Sequence, residues 1–410
     1  MSTHGSASPP IPRDSFLLVV SLFLVVAATN VLTPLLPDVR DDFGVSIATA
    51  GWVIGSFGLA RLMLDLPAGV LINRIGYRRL SLVALGLLVT SSLVGLTANS
   101  LEVLIVARIG SGLAVALLTT IILAALAATA AAANRGKVMS LFPTANNAAL
   151  AIYPLVGGVI GVALGWRATF GLTAILAVIG GLILVPLLLR IDLPKAQTAG
   201  GPTNPDARVL HGRSRTIAIA ATNFGVVATM IHRHGFRSTV MPLYAATALG
   251  LGGISIATAI ALMSITALIV GVPGGILGDR IGRRRVIVAG LAAMAAGDLA
   301  FLLTGDLVTF LLVAALIGCA DFFPSSQTAL LSEIVPPAHR TQALSGYRFS
   351  VDVGAFIGPI LLAAVMDVVN AQAAIVLAAA LLLAASLVAR YGVPSTVDGV
   401  QRQAPASRET

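Results

Sequence analysis

The sequence predicts an all-α polytopic membrane protein: twelve transmembrane helices in two repeated six-helix halves, with both termini cytoplasmic. Three observations carry this. Hydrophobic residues make up 57% of the 410, mean hydropathy is +0.96, and only 10% are Asp, Glu, Lys or Arg, against roughly 25% charged in soluble domains. Apolar runs of about twenty residues, the length that crosses a bilayer, recur along the chain. The loop PAGVLINRIGYRR at 67–79 returns as PGGILGDRIGRRR at 273–285, identical at eight of thirteen positions and 206 residues on.

Taken in order, the runs fall near 16–36, 48–71, 80–98, 101–128, 139–164 and 168–189, then 216–242, 254–277, 286–304, 307–332, 344–366 and 371–391, each bounded by charge or by Pro and Gly. The first is too long for the h-region of a signal peptide, roughly 7–15 residues, and reads as a retained span behind a tail at 1–15. Residues 190–215 are polar and contain KAQTAGGPTNPDAR, a linker between bundles at 16–189 and 216–391. Residues 392–410 form a polar tail.

With the N-terminus inside, nineteen of the 26 basic residues fall in cytoplasmic segments and only Arg40 and Arg167 in outer loops. This bias fixes the orientation. It also accounts for the net charge of +9 as a topology signal, since nucleic-acid binding would need basic residues gathered on a soluble face. The single Cys319 allows no internal disulfide and no cysteine-based metal site.

Both copies of the repeated loop fall between the second and third helix of their half, so the chain is an internal duplication. SIATA at 46–50 returns at 255–259, and Pro154 has Pro359 as its counterpart 205 positions on, preceded by Gly358. Repeated halves are the architecture of rocking transporters. Here the sequence resembles the major facilitator superfamily over about 16–391. The second loop matches the family's signature with Gly275, Leu277, Asp279, Arg280, Gly282 and Arg284; the first keeps Gly69, Arg74 and Gly76, with Asn73 in the acidic position. LIVARIGSG at 104–112 is similar to the fourth-helix motif through Arg108 and Gly112. YPLVGG at 153–158 is similar to the fifth-helix motif of drug/proton antiporters through Pro154, Gly157 and Gly158, although Tyr153 stands where that motif has Gly. GWR at 165–167 also suits the family.

The resemblance implies a gate. In the family, the loop carboxylate accepts hydrogen bonds from the amino-terminal end of a helix in the opposite half, where the dipole favours negative charge, and this stabilises the outward-facing state. Asp279 is the matching residue. Asn73 keeps hydrogen bonding without the charge, so the two latches are expected to be unequal. Arg348 would face Asn73, with Asp352 one turn on as its charge partner. Arg283–Arg285 also admit a reading in which they set topology alone.

Ionisable residues within spans cost about 2.5–3.5 kcal/mol each at a helix centre on the insertion scale, so they are expected to face protein or water. Helices three, six and twelve, the family's outer supports, have none short of Arg390 at the very end of helix twelve. Helices one, four, seven and ten, which line the family's cavity, carry Asn30, Arg108, the cluster His232, Arg233, His234 and Arg237, and Asp321. Arg61 with Asp65, and Arg348 with Asp352, are i,i+4 pairs that can neutralise themselves. No such partner exists for Arg108 or Asp321. Arg108 is either an anchor to a neighbouring helix or a substrate contact, and Asp321, expected across the cavity from the helix-seven cluster, is the first choice for a proton carrier, with Asp65 and His234 behind it. In MIHRHGFRSTVMP, Gly235 and Pro242 suggest a local break; the basic groups there await an anion, unless the helix ends early and they sit at the outer interface. Asp298 on helix nine fits no pattern.

No HExxH, GxSxG or Walker A sequence is present, which argues against an enzyme. His232 and His234 point to different helix faces, against shared metal ligation. No cofactor is expected, and the proton gradient is the implied energy source. The reading is a monomeric transporter in the cytoplasmic membrane that exports small organic molecules by proton exchange through alternating access. Proton-coupled uptake of an organic anion or sugar is the alternative, and a transport-inactive sensor or partner-binding subunit the rival of another class.

Overall fold

The computed structural model describes residues 11–65, 67–130, 134–191, 212–336 and 339–393. All regular structure among them is helical, and eleven helices are long and apolar enough to cross a membrane. The linker between 192 and 211 and the tail beyond 393 lie outside the described residues.

Helix one extends over Arg13–Phe43 in pieces: Arg13–Val25, Ala27–Asn30, a 3-10 turn at Thr33–Leu35, and Leu36–Phe43. Pro34 and Pro37 lack the amide hydrogens that a continuous helix would use. Helix seven, over Arg213–Leu249, is interrupted too: its α-helical parts, Gly212–Met230 and Met241–Leu249, flank a π-helix at Ile231–Val240. The 206-residue offset of the repeated loops carries 231–240 onto 25–34, so both halves break their first helix at the same place.

Helix ten departs from the expected single span at 307–332. It is two helices, Leu307–Ala320 and Pro324–Ile334. Pro324 supplies no amide hydrogen for the Ala320 carbonyl, and Asp321, at φ −84° and ψ 49°, has left the helical conformation, so the ladder stops there. Its counterpart, helix four, runs unbroken over Leu101–Thr129.

The turns repeat more faithfully than the spans. Gly44 and Gly250 take φ of 61° and 64°, and Gly76 and Gly282, the glycines of the repeated loop, take 85° and 95°. These left-handed turns between helices favour a residue without Cβ. Ser100 caps helix four by accepting from the Val103 amide, and Asp306 caps helix ten by accepting from the Thr309 amide. That hydrogen bond holds the Asp306 carboxyl below its usual range.

The loop arginines also have structural partners. Arg78 donates to the carbonyls of Leu188 and Leu189, each at 2.9 Å, at the end of helix six, Ala168–Arg190. Arg284, 206 positions on, donates to the Val393 carbonyl at 3.3 Å, just past helix twelve, Ala371–Gly392. A guanidinium there satisfies carbonyls that the helix leaves unpaired and complements its negative end. Arg283 pairs with Glu333 at 2.5 Å. Arg283 and Arg284 thus make structural contacts in addition to any part in topology.

The chain divides into two compact units, 1–197 with Leu251–Ala261, and 198–250 with 262–410. The first turns of helix eight, Gly253–Ile281, cluster with the first unit. Inside that unit a Cβ on Gly158 would come 2.6 Å from Ala257 Cβ.

Glycines clasp both interrupted helices. A Cβ on Gly157, in helix five, would collide with the Val31 carbonyl oxygen of helix one, and one on Gly358, in helix eleven, would lie 2.8 Å from Ile231 Cα of helix seven. Gly112 fits against Phe57 in the same way, at 2.7 Å from its carbonyl oxygen. Small residues permit such backbone approach in a bilayer. Gly157→Ala and Gly358→Ala should therefore each destabilise the protein by roughly 1–3 kcal/mol through overpacking, whereas Gly69→Ala, with nothing within 4 Å, should be neutral. Thermal unfolding in detergent distinguishes them.

Candidate substrate and proton site

The π-helix of helix seven follows from its sequence, IHRHGFRSTV. Pro242 cannot donate to the carbonyl four residues back, and the Met241 amide bonds instead to the Phe236 carbonyl, five residues back. The Ser238 hydroxyl donates to the Arg233 carbonyl and the Thr239 hydroxyl to the His234 carbonyl, both at 3.0 Å and again five residues back. Backbone groups opened by the interruption are thus satisfied within the segment, as a bilayer requires. π-helical turns occur mostly as single bulges, frequently at functional sites; ten residues of it is long.

This segment sends adjacent side chains to different helices. Nη2 of Arg233 donates to both Asp321 oxygens, at 2.6 and 2.5 Å. Asp321 is 8% exposed and sits where helix ten breaks, with φ −84° and ψ 49°. It follows the carboxyl end of Leu307–Ala320, where a negative charge is unfavourable, and precedes the amino end of Pro324–Ile334, where it is favourable. The guanidinium offsets the unfavourable part. Asp321 was expected across the cavity from the cluster; instead it belongs to the same unit and is bonded to it. Arg237 donates to Ser264 on helix eight. His234 is half-buried.

His232 turns the other way. Its Nδ1 lies 2.9 and 3.0 Å from the two oxygens of Asp298 on helix nine, Arg283–Ala300. The His and Asp side chains are 2% and 0% exposed. Helix nine carries no motif, and nothing in its periodicity pointed to this pair; an isolated acid in a supporting helix was the only signal. The early-ending alternative for helix seven is excluded, because the helix continues to Leu249.

In the first unit Arg108 is 2% exposed. Its Nη1 donates to the Ala28 carbonyl at 2.6 Å, its Nε to the Val53 carbonyl at 3.1 Å, and its guanidinium lies 4.6 Å from the Phe57 ring centroid. Ala28 belongs to the interrupted stretch of helix one, so the arginine supplies a donor to the break and joins helices one, two and four. Asn30, at the end of the same stretch, is buried at 8% exposure. The Tyr153 ring packs 5.0 Å from Phe23, centroid to centroid, and its hydroxyl makes no hydrogen bond.

The gating residues are less fully described. Asn73, Arg74, Arg280 and Arg348 are exposed, and Asp352 is buried. The side chains of Asp279, Gly275 and Asp65 lie outside the described residues. No group of three His, Cys, Asp or Glu that could hold a metal occurs among the described residues.

Paired halves with matching helix breaks and buried charges beside them define a membrane transporter in which chemistry on a bound substrate has no evident machinery. The chain belongs to the Major Facilitator Superfamily, whose profile matches residues 18–236 and again 227–409. That membership makes it a non-enzymatic transporter of small molecules. The Cephamycin export protein CmcT of Amycolatopsis lactamdurans is 31% identical over 54% of this chain and 44% of its own length, so the match spans under half of that relative. The Chloramphenicol resistance protein of Streptomyces lividans is 24% identical over 93% of this chain and 96% of its own. Among solved structures, a mutant form of the peptide transporter POT superposes with a TM-score of 0.76 at 16% identity, over 92% of this chain and 94% of that one. The human organic anion transporter MFSD10 (TETRAN) gives 0.68 at 15%, over 92% and 100%. These likenesses in structure show the fold.

Arg108→Lys should lower thermal stability by about 1.5–3 kcal/mol, because an ammonium cannot keep both charge-assisted bonds to Ala28 and Val53. Transport of anionic and neutral substrates should fall alike. A loss confined to anions would make Arg108 a substrate contact.

Proposed function

We propose that the protein is a proton-coupled exporter of small organic molecules in the cytoplasmic membrane, with twelve spans, helix ten crossing as two helices, and both termini cytoplasmic. The orientation rests on the distribution of basic residues. Export is supported by the relatives, one named an export protein and one a resistance protein. The observation that carries proton coupling is the Arg233–Asp321 pair at the break of helix ten, next to the π segment.

An ion pair at that place is a switch. Protonation of Asp321 removes its charge and releases the Arg233 guanidinium; deprotonation restores the pair and neutralises both. A substrate that binds best beside the closed pair is exchanged for a proton, which is export. A substrate carboxylate or phosphate that takes the place of Asp321 on Arg233 travels with the proton instead, because the arginine's planar fork suits those groups. The second case is the uptake reading, and the double hydrogen bond of Arg233 to a carboxylate favours it. Asp279 is the gate that holds the cytoplasmic side shut, with Asn73 the weaker latch.

The deciding experiment is metabolite and drug profiling of everted vesicles, with and without the protein, under pH gradients of either sign. Asp321→Asn should abolish the dependence on the gradient while leaving substrate exchange; full gradient-driven transport in that variant would move the proton site elsewhere. Arg237→Lys should weaken binding of an anionic substrate more than of a neutral analogue, and an equal effect on both would remove the anion reading. Asp279→Asn should raise cytoplasmic cysteine accessibility and cut the transport rate, whereas unchanged values would leave the loop a topology signal.

A further inference from the structure

We propose that His232 and Asp298 form a second proton-binding site, which carries one proton through the transport cycle in a compartment separate from Asp321. The inference deepens the proton-coupled reading above and rests on it.

The pair is sealed. Beyond its own hydrogen bond, the His232 ring stacks on Phe236 at 5.5 Å, and Phe236 meets Phe301 at 5.4 Å; Phe301 in turn meets Tyr244 at 5.3 Å and Phe310 at 5.5 Å. Phe236, Phe301 and Phe310 have no exposure. Within such a wall a net charge is costly to hold. Two arrangements of the pair carry no net charge, a neutral carboxylic acid beside a neutral imidazole and a carboxylate beside an imidazolium, and both contain the same single proton. Losing that proton leaves a buried negative charge; gaining another leaves a positive one. The sealed pair therefore retains one proton, and it can release or take one only when the surroundings open to water.

Other titratable groups lie on the elements packed around the pair. On the π segment itself, Arg233 is held by Asp321 and Arg237 donates to Ser264, with His234 between them. Helix eleven, Arg340–Val368, packs against the segment and brings Tyr347, Arg348 and Asp352. Helix twelve packs against both the segment and helix nine, and has no ionisable residue between Ala371 and Ala389. The Leu307–Ala320 part of helix ten packs against helix nine and has no Asp, Glu, Lys, Arg or His. Asp298 is the carboxylate whose oxygens lie 2.9 and 3.0 Å from His232 Nδ1.

The opening device lies in the backbone. His232 and Arg233 are consecutive in a π-helix, one tied to helix nine and the other to helix ten. A shift of register toward the α-helix rotates both together, so release of Arg233 from Asp321 is mechanically linked to separation of His232 from Asp298. When the pair separates, the proton passes from the imidazole or carboxyl to water on the side that is open, and one returns from water before the pair closes again.

The test is infrared difference titration of the purified full-length protein in lipid, with the proton itself as the probe. The carboxyl and imidazole bands are followed across the range in which histidine titrates, in wild type and in Asp298→Asn, His232→Gln and Asp321→Asn. The expected result is a carboxyl change and an imidazole change that titrate together, are lost in both Asp298→Asn and His232→Gln, and persist in Asp321→Asn. Should Asp298→Asn fail to fold, the loss in His232→Gln of the linked carboxyl change decides alone. A titration unaltered by Asp298→Asn or His232→Gln makes the pair a fixed structural contact and overturns the proposal, even where Asp321→Asn removes a band of its own. Silence of Asp321→Asn, with the linked bands present, instead overturns the role of Asp321 and leaves the pair as the proton carrier.

Discussion

Hydrocarbon offers no hydrogen bonds, and this constraint governs how the protein can afford broken helices. Helices one, seven and ten each leave backbone groups without helical partners, and each break is met by a different supplier. Arg108 reaches the carbonyl of Ala28 in helix one. Hydroxyls of Ser238 and Thr239 turn back onto helix seven. At helix ten the interruption is filled by a carboxylate and its arginine. Arg108, Arg233 and Asp321 therefore lie at or beside irregular backbone, whose groups give them polar surroundings.

Symmetry and its violation divide the labour. The turns and caps recur at one offset of 206 residues in both halves, whereas the glycine clasps Gly157 and Gly358 stand 201 apart. The side chains at the breaks have diverged. Counting back 206 positions from His232, Arg233 and Asp298 reaches Val26, Ala27 and Ser92, none of which can carry charge. The first half retains the broken helix as a shape, and the second equips it with titratable groups. A transporter built this way has a scaffold half and a chemical half.

The sequence made the class and the repeat legible because apolar length, basic-residue bias and the loop motif are local properties. Glycines at 76 and 282 were readable for the same reason: a left-handed turn leaves its mark at a single position. Asp298 was not readable, since its partner is 66 residues away on another helix and packing alone unites them. Helix ten was misjudged because an apolar run conceals a break. Asp321 and Pro324 both stood in view there, yet hydropathy averages over them. The π-helix was half visible, as Gly235 and Pro242 signalled an interruption without specifying its register. For the loop arginines, a topology signal was legible and no partner was; Arg78 and Arg284 donate to carbonyl groups at the ends of helices six and twelve.

Those two arginines act at the places where each half lets go of its chain. Helix six ends at Arg190, ahead of the linker, and helix twelve at Gly392, ahead of the tail. Each exit is thus moored by the loop that joins the second and third helices of the same half, so a pull on linker or tail is felt first at that loop. The Arg284 loop is thereby tied to the point where helix twelve ends.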